Sequence, residues 1–241
     1  MKAMILAAGL GTRLRPLTDS VPKALVEIAG RTLLEITLSR LRSFGVMDVI
    51  INVHHFAGMI EDYLKANKNF GMNVAISRED VLLDTGGGLK KAAHFFLKDS
   101  NDSRFLLHNV DVISTIDLHK MVQFHQRNDA LATLAVQDRK TSRQLLFNED
   151  LQLCGRRTRD EAPEVVCPSI ELKPLAFSGI HIISPRLLGM IEQDGVFSII
   201  TTYLELARRG ERILAFRTDE YYWRDLGTPE NVIQAAKEGR I

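Results

Sequence analysis

The chain of 241 residues contains only two cysteines, Cys154 and Cys167. They are too few to staple a chain of this length, and neither stands in a C-x-x-C pair with metal-ligand spacing, so a disulfide scaffold and a zinc site are both excluded. Two reduced thiols in a cytoplasmic protein are expected. An excess of one charge is also missing: 31 Lys and Arg stand against 30 Asp and Glu. A protein that neutralises many phosphates along a nucleic acid carries a clear basic excess, so no nucleic-acid partner is expected. Long hydrophobic runs are absent as well. The longest uncharged stretches, residues 49–60 and 174–185, are twelve residues each, against the roughly 20 needed to cross a bilayer. No membrane partner is expected. The apolar start up to Gly11 resembles a short signal-peptide core, but Arg13, Arg15 and Pro16 follow it with no small-residue cleavage site. There is no internal repeat and no low-complexity linker, so residues 1–241 are read as one domain.

What is present is an alternation of apolar runs and amphipathic segments. Residues 3–6 read as a buried strand. Residues 32–44 read as a helix: Thr32 and Glu35 form a capping box, Leu34, Leu38 and Leu41 share a face, and Gly45 ends it. Strands at 49–53, 74–77, 105–108 and 131–136 then alternate with helices at 58–65, 88–97 and 118–126. This rhythm predicts an α/β, doubly wound architecture: a mostly parallel, mixed sheet with helices on both faces. It breaks at residues 138–175, where short pieces at 144–147 and 151–154 surround the basic run Gly155-Arg156-Arg157-Thr158-Arg159. That stretch reads as a small inserted hairpin with a flexible, Pro-containing excursion, and the basic run within it as a solvated loop, with a substrate lid or an oligomer contact as alternatives. A strand at 177–183, helices at 186–191 and 198–208, a strand at 212–216 and a final helix follow, the last with Thr228 as N-cap and Pro229 in its first turn.

The chemistry concentrates first in Leu6-Ala7-Ala8-Gly9-Leu10-Gly11-Thr12-Arg13-Leu14-Arg15-Pro16. A strand running into a glycine turn lets backbone N–H groups approach phosphate oxygens. A dinucleotide fingerprint requires a third glycine where Leu14 stands and a helix that Pro16 disfavours. A P-loop requires Gly-Lys-Ser/Thr, which the chain lacks. What remains is a glycine turn beside concentrated positive charge: the first 23 residues hold Lys2, Arg13, Arg15 and Lys23 against a single acid, Asp19. Arginine forks and a point-charge lysine suit a triphosphate.

Two aspartates stand out by position. Asp111 closes the apolar run of residues 105–110, at the carboxyl end of a strand, where α/β proteins place ligands. Asp225 follows Tyr221-Tyr222-Trp223-Arg224 at a second strand-to-helix junction. Mg²⁺ is held by one or two carboxylates plus substrate phosphates, and this pair suits it. The histidines suit a metal less well. His54 and His55 are adjacent on an extended segment and point to opposite faces, while His119 and His125 share no close helical face and read as surface residues.

In these motifs the chain resembles the sugar-1-phosphate nucleotidyltransferases. Residues 6–18, LAAGLGTRLRPLT, with Pro22-Lys23, are similar to the family's opening motif, and Asp84-Thr85-Gly86-Gly87-Gly88 to its nucleoside loop. Asn109-Val110-Asp111 and Trp223-Arg224-Asp225-Leu226-Gly227-Thr228 are similar to its two metal positions, and Phe177-Ser178-Gly179-Ile180 to its sugar-binding strand. The resemblance spans essentially the whole chain, in family order. It implies a Rossmann-like fold, with residues 138–175 on the sugar-binding side, and a reaction of a nucleoside triphosphate with a sugar 1-phosphate. Closest in pattern are short uridylyltransferases acting on N-acetylmuramate 1-phosphate; short mannose- or heptose-1-phosphate guanylyltransferases are the alternative.

The resemblance assigns Leu6, Ala7, Ala8, Gly9, Gly11, Thr12, Arg13, Asp84, Thr85, Gly86 and Gly87 to the nucleotide, with Arg13 and the backbone of residues 9–12 on the β- and γ-phosphates and Gly86 and Gly87 letting the nucleoside approach. Lys23, Asn109, Ser178 and Gly179 fall to the sugar phosphate, and Asp111 and Asp225 to Mg²⁺. Arg13, Lys23, Asp111 and Asp225 are the expected catalytic set. Val110 departs from the pattern, which has glycine before the first metal aspartate; a β-branched residue there fits only if its bulk turns away from the nucleotide. A catalytically silent, nucleotide-binding relative of the fold is the reading that Val110 favours, and a homodimer is left open.

Overall fold

The computed structural model describes residues 1–98, 104–159 and 161–239; Asp160, within the 138–175 stretch, lies outside the described residues. The amino-terminal apolar run forms strand β1 (Lys2–Leu6), with Ala3, Met4 and Ile5 fully buried. A short ribbon of β2 (Glu27–Ile28) and β3 (Arg31–Thr32) leads into helix α1 (Leu33–Ser43). The Thr32 hydroxyl accepts from Glu35 N–H at 3.0 Å, while the Glu35 carboxylate takes Arg31 Nε at 2.8 Å. Then come β4 (Asp48–Val53), α2 (Ala57–Ala66), β5 (Asn73–Arg78), α3 (Asp84–Lys91), α4 (Ala93–Leu97), β6 (Phe105–Asn109), β7 (Val112–Ser114), α5 (Leu118–Arg127) and β8 (Ala132–Gln137). The remainder contains β9 (Arg143–Phe147), β10 (Leu153–Thr158), β11 (Glu164–Val165), β12 (Lys173–Ile183), α6 (Ile199–Arg208), β13 (Ile213–Arg217), β14 (Trp223–Asp225) and α7 (Pro229–Glu238).

One ten-stranded mixed sheet organises these elements. Strands β6, β1, β4 and β5 run parallel side by side, and β13 runs parallel to β8. Between the two parallel groups lies β12, antiparallel to both β6 and β8, and its first residues continue into β9, β10 and β11. Alternation along the buried strands sends Ala3 and Ile5 to one face and Met4 to the other, so two cores form. Helices α1, α2, α5 and α7 cover the first, and α3, α4 and α6 the second. Among the described residues no helix is long and apolar enough to cross a membrane.

Three local expectations are corrected. The basic run is not a loop: Gly155 to Thr158 belong to β10, paired with β9 on one side and β11 on the other, and Arg156 meets Glu164 at 2.8 Å. The segment read as a helix at 186–191 is a 3₁₀ turn, Pro185–Met190. His125 is buried rather than on the surface, because it shares a face with Leu118 and Met121, and it bonds Thr133 Oγ1 at 2.9 Å. His54 is half-buried and His55 exposed, as the alternation predicts.

Burial sets the acid stability. It lowers His108 and His125 to about 4 and His181 to about 3, with Arg104 adding to the effect at His125 and His108 at His181. Each imidazole is neutral in the fold yet titrates near 6.5 once unfolded. Between about pH 6.5 and 4 the unfolded chain therefore binds more protons, and stability falls as pH falls through that window. The thermal midpoint followed from pH 7.5 to 4 is expected to drop, and His125→Gln to make that drop shallower. An unchanged slope in His125→Gln would remove His125 from this account.

Candidate active site

A cavity of about 380 Å³ opens where β1 and β6 end. Its floor is the turn that leaves β1, Leu6-Ala7-Ala8-Gly9, and Lys23 closes one side. Asn109 and Asp111 reach it from the end of β6, and Asp84 and Thr85 from the start of α3. Leu82 and Val196 add apolar wall that the motifs did not single out.

Beyond Gly9 the loop folds back on itself. Gly11 has φ +65°, and a Cβ there would stand 2.9 Å from Thr18 Cγ2 and 3.1 Å from Lys23 Cβ, so only glycine permits the approach. Thr18 Oγ1 donates to Gly11 O at 2.8 Å and Leu14 is fully buried as a plug. Thr12 and Arg13 sit on the intervening 3₁₀ turn, exposed beside the cavity rather than in its wall.

The two aspartates are joined through backbone. Strands β7 and β14 pair antiparallel with Asp225 opposite Val112, and Leu226 N–H donates to Asp111 O at 2.7 Å. Lys23 Nζ pairs with Asp111 Oδ2, both side chains largely buried. Gly227 N–H donates to Asp225 Oδ1 at 2.7 Å. A Cβ on Gly227 would lie 2.6 Å from Asp225 Oδ1 and 2.7 Å from Arg13 Nη2, so carboxylate and guanidinium converge over that glycine. All four residues of the expected catalytic set thus gather beyond the carboxyl ends of β1 and β6. Among the described residues no group of three or more His, Cys, Asp or Glu is available to hold a metal. Two hard oxygen donors whose remaining positions are left to phosphates and water match Mg²⁺ rather than zinc.

The glycines of the nucleoside motif are packed inside a helix. Helix α3 begins at Asp84, so Gly86 and Gly87 are helical and buried. Both N–H groups point to Phe197 O, at 2.9 and 3.3 Å. A Cβ would fall 2.4 Å from the Phe197 ring at Gly86 and 2.3 Å from Gly195 O at Gly87. They seat α3 against residues 195–197 and leave the cavity to Asp84 and Thr85.

Under this helix lies a polar contact that the sequence reading missed. Asn52 Oδ1 accepts from Ala7 N–H at 2.8 Å, and Asn52 Nδ2 donates to Glu79 Oε1 at 2.7 Å. Glu79 Oε2 accepts from Leu83 N–H at 2.9 Å. Both side chains are nearly inaccessible, 3% and 2% exposed. They tie the glycine turn to the start of α3. A lone Asn in an apolar strand and an acid soon after a strand were the available signals.

On the opposite side, Gly179 has φ +74°, and a Cβ on it would stand 2.9 Å from Asn109 Nδ2 and 3.0 Å from Val112 Cγ2. Ser178 is fully buried, and its hydroxyl has no partner among the described residues. Val110 is 3% exposed and belongs to the α1-side core, with its carbonyl accepting from Thr37 Oγ1 at 3.3 Å. Its bulk is spent in the core although the residue borders the cavity.

The model of the nucleotidyl transferase family matches residues 2–145. The chain belongs to the nucleotidyl transferase family. Among the relatives of this nucleotidyl transferase is the N-acetylmuramate alpha-1-phosphate uridylyltransferase of Caulobacter vibrioides, 33% identical over 99% of this chain and 96% of that protein. The mannose-1-phosphate guanyltransferase of Yarrowia lipolytica is 31% identical over 97% of the chain, which spans 62% of that relative's length. Of the solved structures, HddC from Yersinia pseudotuberculosis complexed with GMP-PN superposes with a TM-score of 0.77 at 24% identity, covering 98% of each chain. At that identity it shows the shared fold.

Replacing Asn52 by Leu strips Ala7 N–H and the buried Glu79 of a partner, and chemical denaturation is expected to show a loss of about 2–3 kcal/mol. Asn52→Leu combined with Glu79→Leu is expected to recover part of it. A double variant as unstable as the sum of the singles would contradict the coupling.

Proposed function

We propose that this nucleotidyl transferase joins a nucleoside triphosphate to a sugar 1-phosphate, giving the nucleoside-diphosphate sugar and pyrophosphate. UTP and N-acetylmuramate 1-phosphate, or a similar hexosamine 1-phosphate, are the substrates we favour. The observation that carries the reading is the convergence of Lys23 with Asp111, and of Arg13 with Asp225, beside one cavity. Near-full-length similarity to the Caulobacter uridylyltransferase supports the substrate pair.

The residue types fit the demands of the reaction. A phosphate monoester has a second pKa near 6 and needs no general base to attack at neutral pH. The attacking sugar-phosphate oxygen forms a bond to the α-phosphorus as the bond to the pyrophosphate oxygen breaks. Two anions must be brought in line, so positioning and electrostatics dominate. Arg13 and the N–H groups of residues 9–12 hold the β- and γ-phosphates that depart. Lys23 screens the approach of the sugar phosphate to the α-phosphorus; Asp84 and Thr85 meet the nucleoside, and Asn109 and Gly179 the sugar. Asp111 and Asp225 would hold Mg²⁺, which would supply charge neutralisation at the phosphate oxygens. The stretch read at 138–175 is assigned to the sugar side by the family resemblance alone, and the free thiols Cys154 and Cys167 agree with a cytoplasmic setting.

A GTP-dependent reaction with mannose or heptose 1-phosphate is the second reading, favoured by the Yarrowia relative. Uracil and guanine both present a ring N–H beside a carbonyl, and Asp84 suits either. The silent reading loses its motive, because Val110 buries its bulk in the core.

Pyrophosphate release measured over a grid of triphosphates and sugar 1-phosphates with Mg²⁺ names the pair. Asp111→Asn and Lys23→Ala are each expected to lower the rate by about 10²- to 10³-fold. Wild-type rates in both variants, or silence across the whole grid, would overturn the proposal.

A further inference from the structure

Arg139, just after β8, has no part in the roles above. Its Cζ lies 3.7 Å from the centroid of the Trp223 ring, and its Nη2 donates to Phe177 O at 2.6 Å. Its Nε is buried without a hydrogen-bond partner among the described residues. Trp223 Nε1 in turn donates to Ser178 O at 2.7 Å. The stacked pair therefore occupies two successive carbonyls, those of Phe177 and Ser178.

Those carbonyls lie where β12 leaves regular pairing. Its register against β8 shifts between Phe177 and His181, and Gly179 takes φ +74° within the shift. A bulge frees carbonyls that the ladder no longer satisfies, and buried carbonyls need donors. The same ring belongs to β14, where Trp223 and Asp225, two residues apart, share a strand face. Burial lowers the Arg139 guanidinium below its usual value, and Asp225 acts in the opposite sense, so the cation also senses the metal-side carboxylate.

We propose that Arg139 is a positioning residue: stacked on Trp223 and bonded to Phe177 O, it holds the β12 bulge and the β14 carboxylate Asp225 in fixed mutual register. The bulge carries Gly179, which abuts Asn109, so this one guanidinium sets where the sugar side lies relative to the metal side. The inference rests on the sugar-phosphate reading of the site. A lysine cannot replace the planar, directional fork, since an ammonium neither stacks flat on indole nor aims an N–H fixed by the same plane.

Trp223 is the only tryptophan in the chain, so tryptophan emission reports on this ring and its surroundings. Arg139→Lys and Arg139→Met are compared with the intact protein for emission, for triphosphate binding by calorimetry, and for the KM of each substrate. Both variants are expected to shift the apo emission, to keep triphosphate affinity within about twofold, and to raise the KM for sugar 1-phosphate about tenfold or more, as misplacement by a fraction of an ångström does. Trp223→Phe, which keeps a ring but drops the indole N–H and the tryptophan emission with it, is followed by KM alone; its KM for sugar 1-phosphate is expected to fall between theirs and that of the wild type, and it keeps the test alive if Arg139→Met does not fold. Wild-type emission and KM in Arg139→Lys, or equal rises in KM for both substrates, would overturn the proposal. If the wild type turns over no sugar 1-phosphate, the reaction assignment fails instead. The emission and triphosphate-binding arms still report on the stack.

Discussion

Asp111 and Asp225 meet because a three-residue ribbon, β7 against β14, carries the chain back to the edge of the sheet where β1 and β6 end. The closing bond, Leu226 N–H to Asp111 O, fixes one carboxylate's backbone to the residue following the other. Without that ribbon the parallel sheet would present a single carboxylate beside its glycine turn. With it, two anionic groups stand against Lys23 and Arg13, whose charges keep the unliganded edge balanced. An arrangement of that kind suits a polyphosphate, because the cations are already placed and the carboxylates can be shared with a divalent ion.

The rest of the site is held at close quarters by packing under and around this edge. Gly227 leaves room for the Arg13 guanidinium, and Gly86 and Gly87 let α3 descend onto residues 195–197. Beneath them the Asn52–Glu79 contact couples the turn after β1 to the start of α3 through buried hydrogen bonds. Paired buried polar groups specify position because every unpaired alternative is costly. Loop and helix that line the cavity are thereby one unit. The Arg139–Trp223 stack performs the corresponding service on the far side, between β12 and β14.

Much of this was legible in order along the chain. Buried parallel strands read as short apolar runs and helices as 3.6-residue patterns, so β1, α1, β4, α2, β5, β6 and α5 were recognisable from period alone. The glycine turn and both aspartates were legible because they interrupt that pattern at strand ends. What period could not convey was partnership across the sheet. The antiparallel course of β12, the pairing of the basic run in β10 and the burial of His125 depend on neighbours far away in sequence. Gly86 and Gly87 misled because glycine has low helix propensity; contact with Phe197 overrides it. Arg139 carries no signal of its own in the sequence, because its partner Trp223 lies far along the chain.

The joint use of the two carboxylates is tested most directly by titrating Mn²⁺, as a paramagnetic stand-in for Mg²⁺, into the protein with triphosphate present and counting bound ion by electron paramagnetic resonance. Wild type, Asp111→Asn, Asp225→Asn and the double variant complete a cycle. A single shared site predicts that each single change weakens Mn²⁺ binding about as much as both together. Losses that simply add, or a single variant that binds like wild type, would show that the ribbon does not build one cation site.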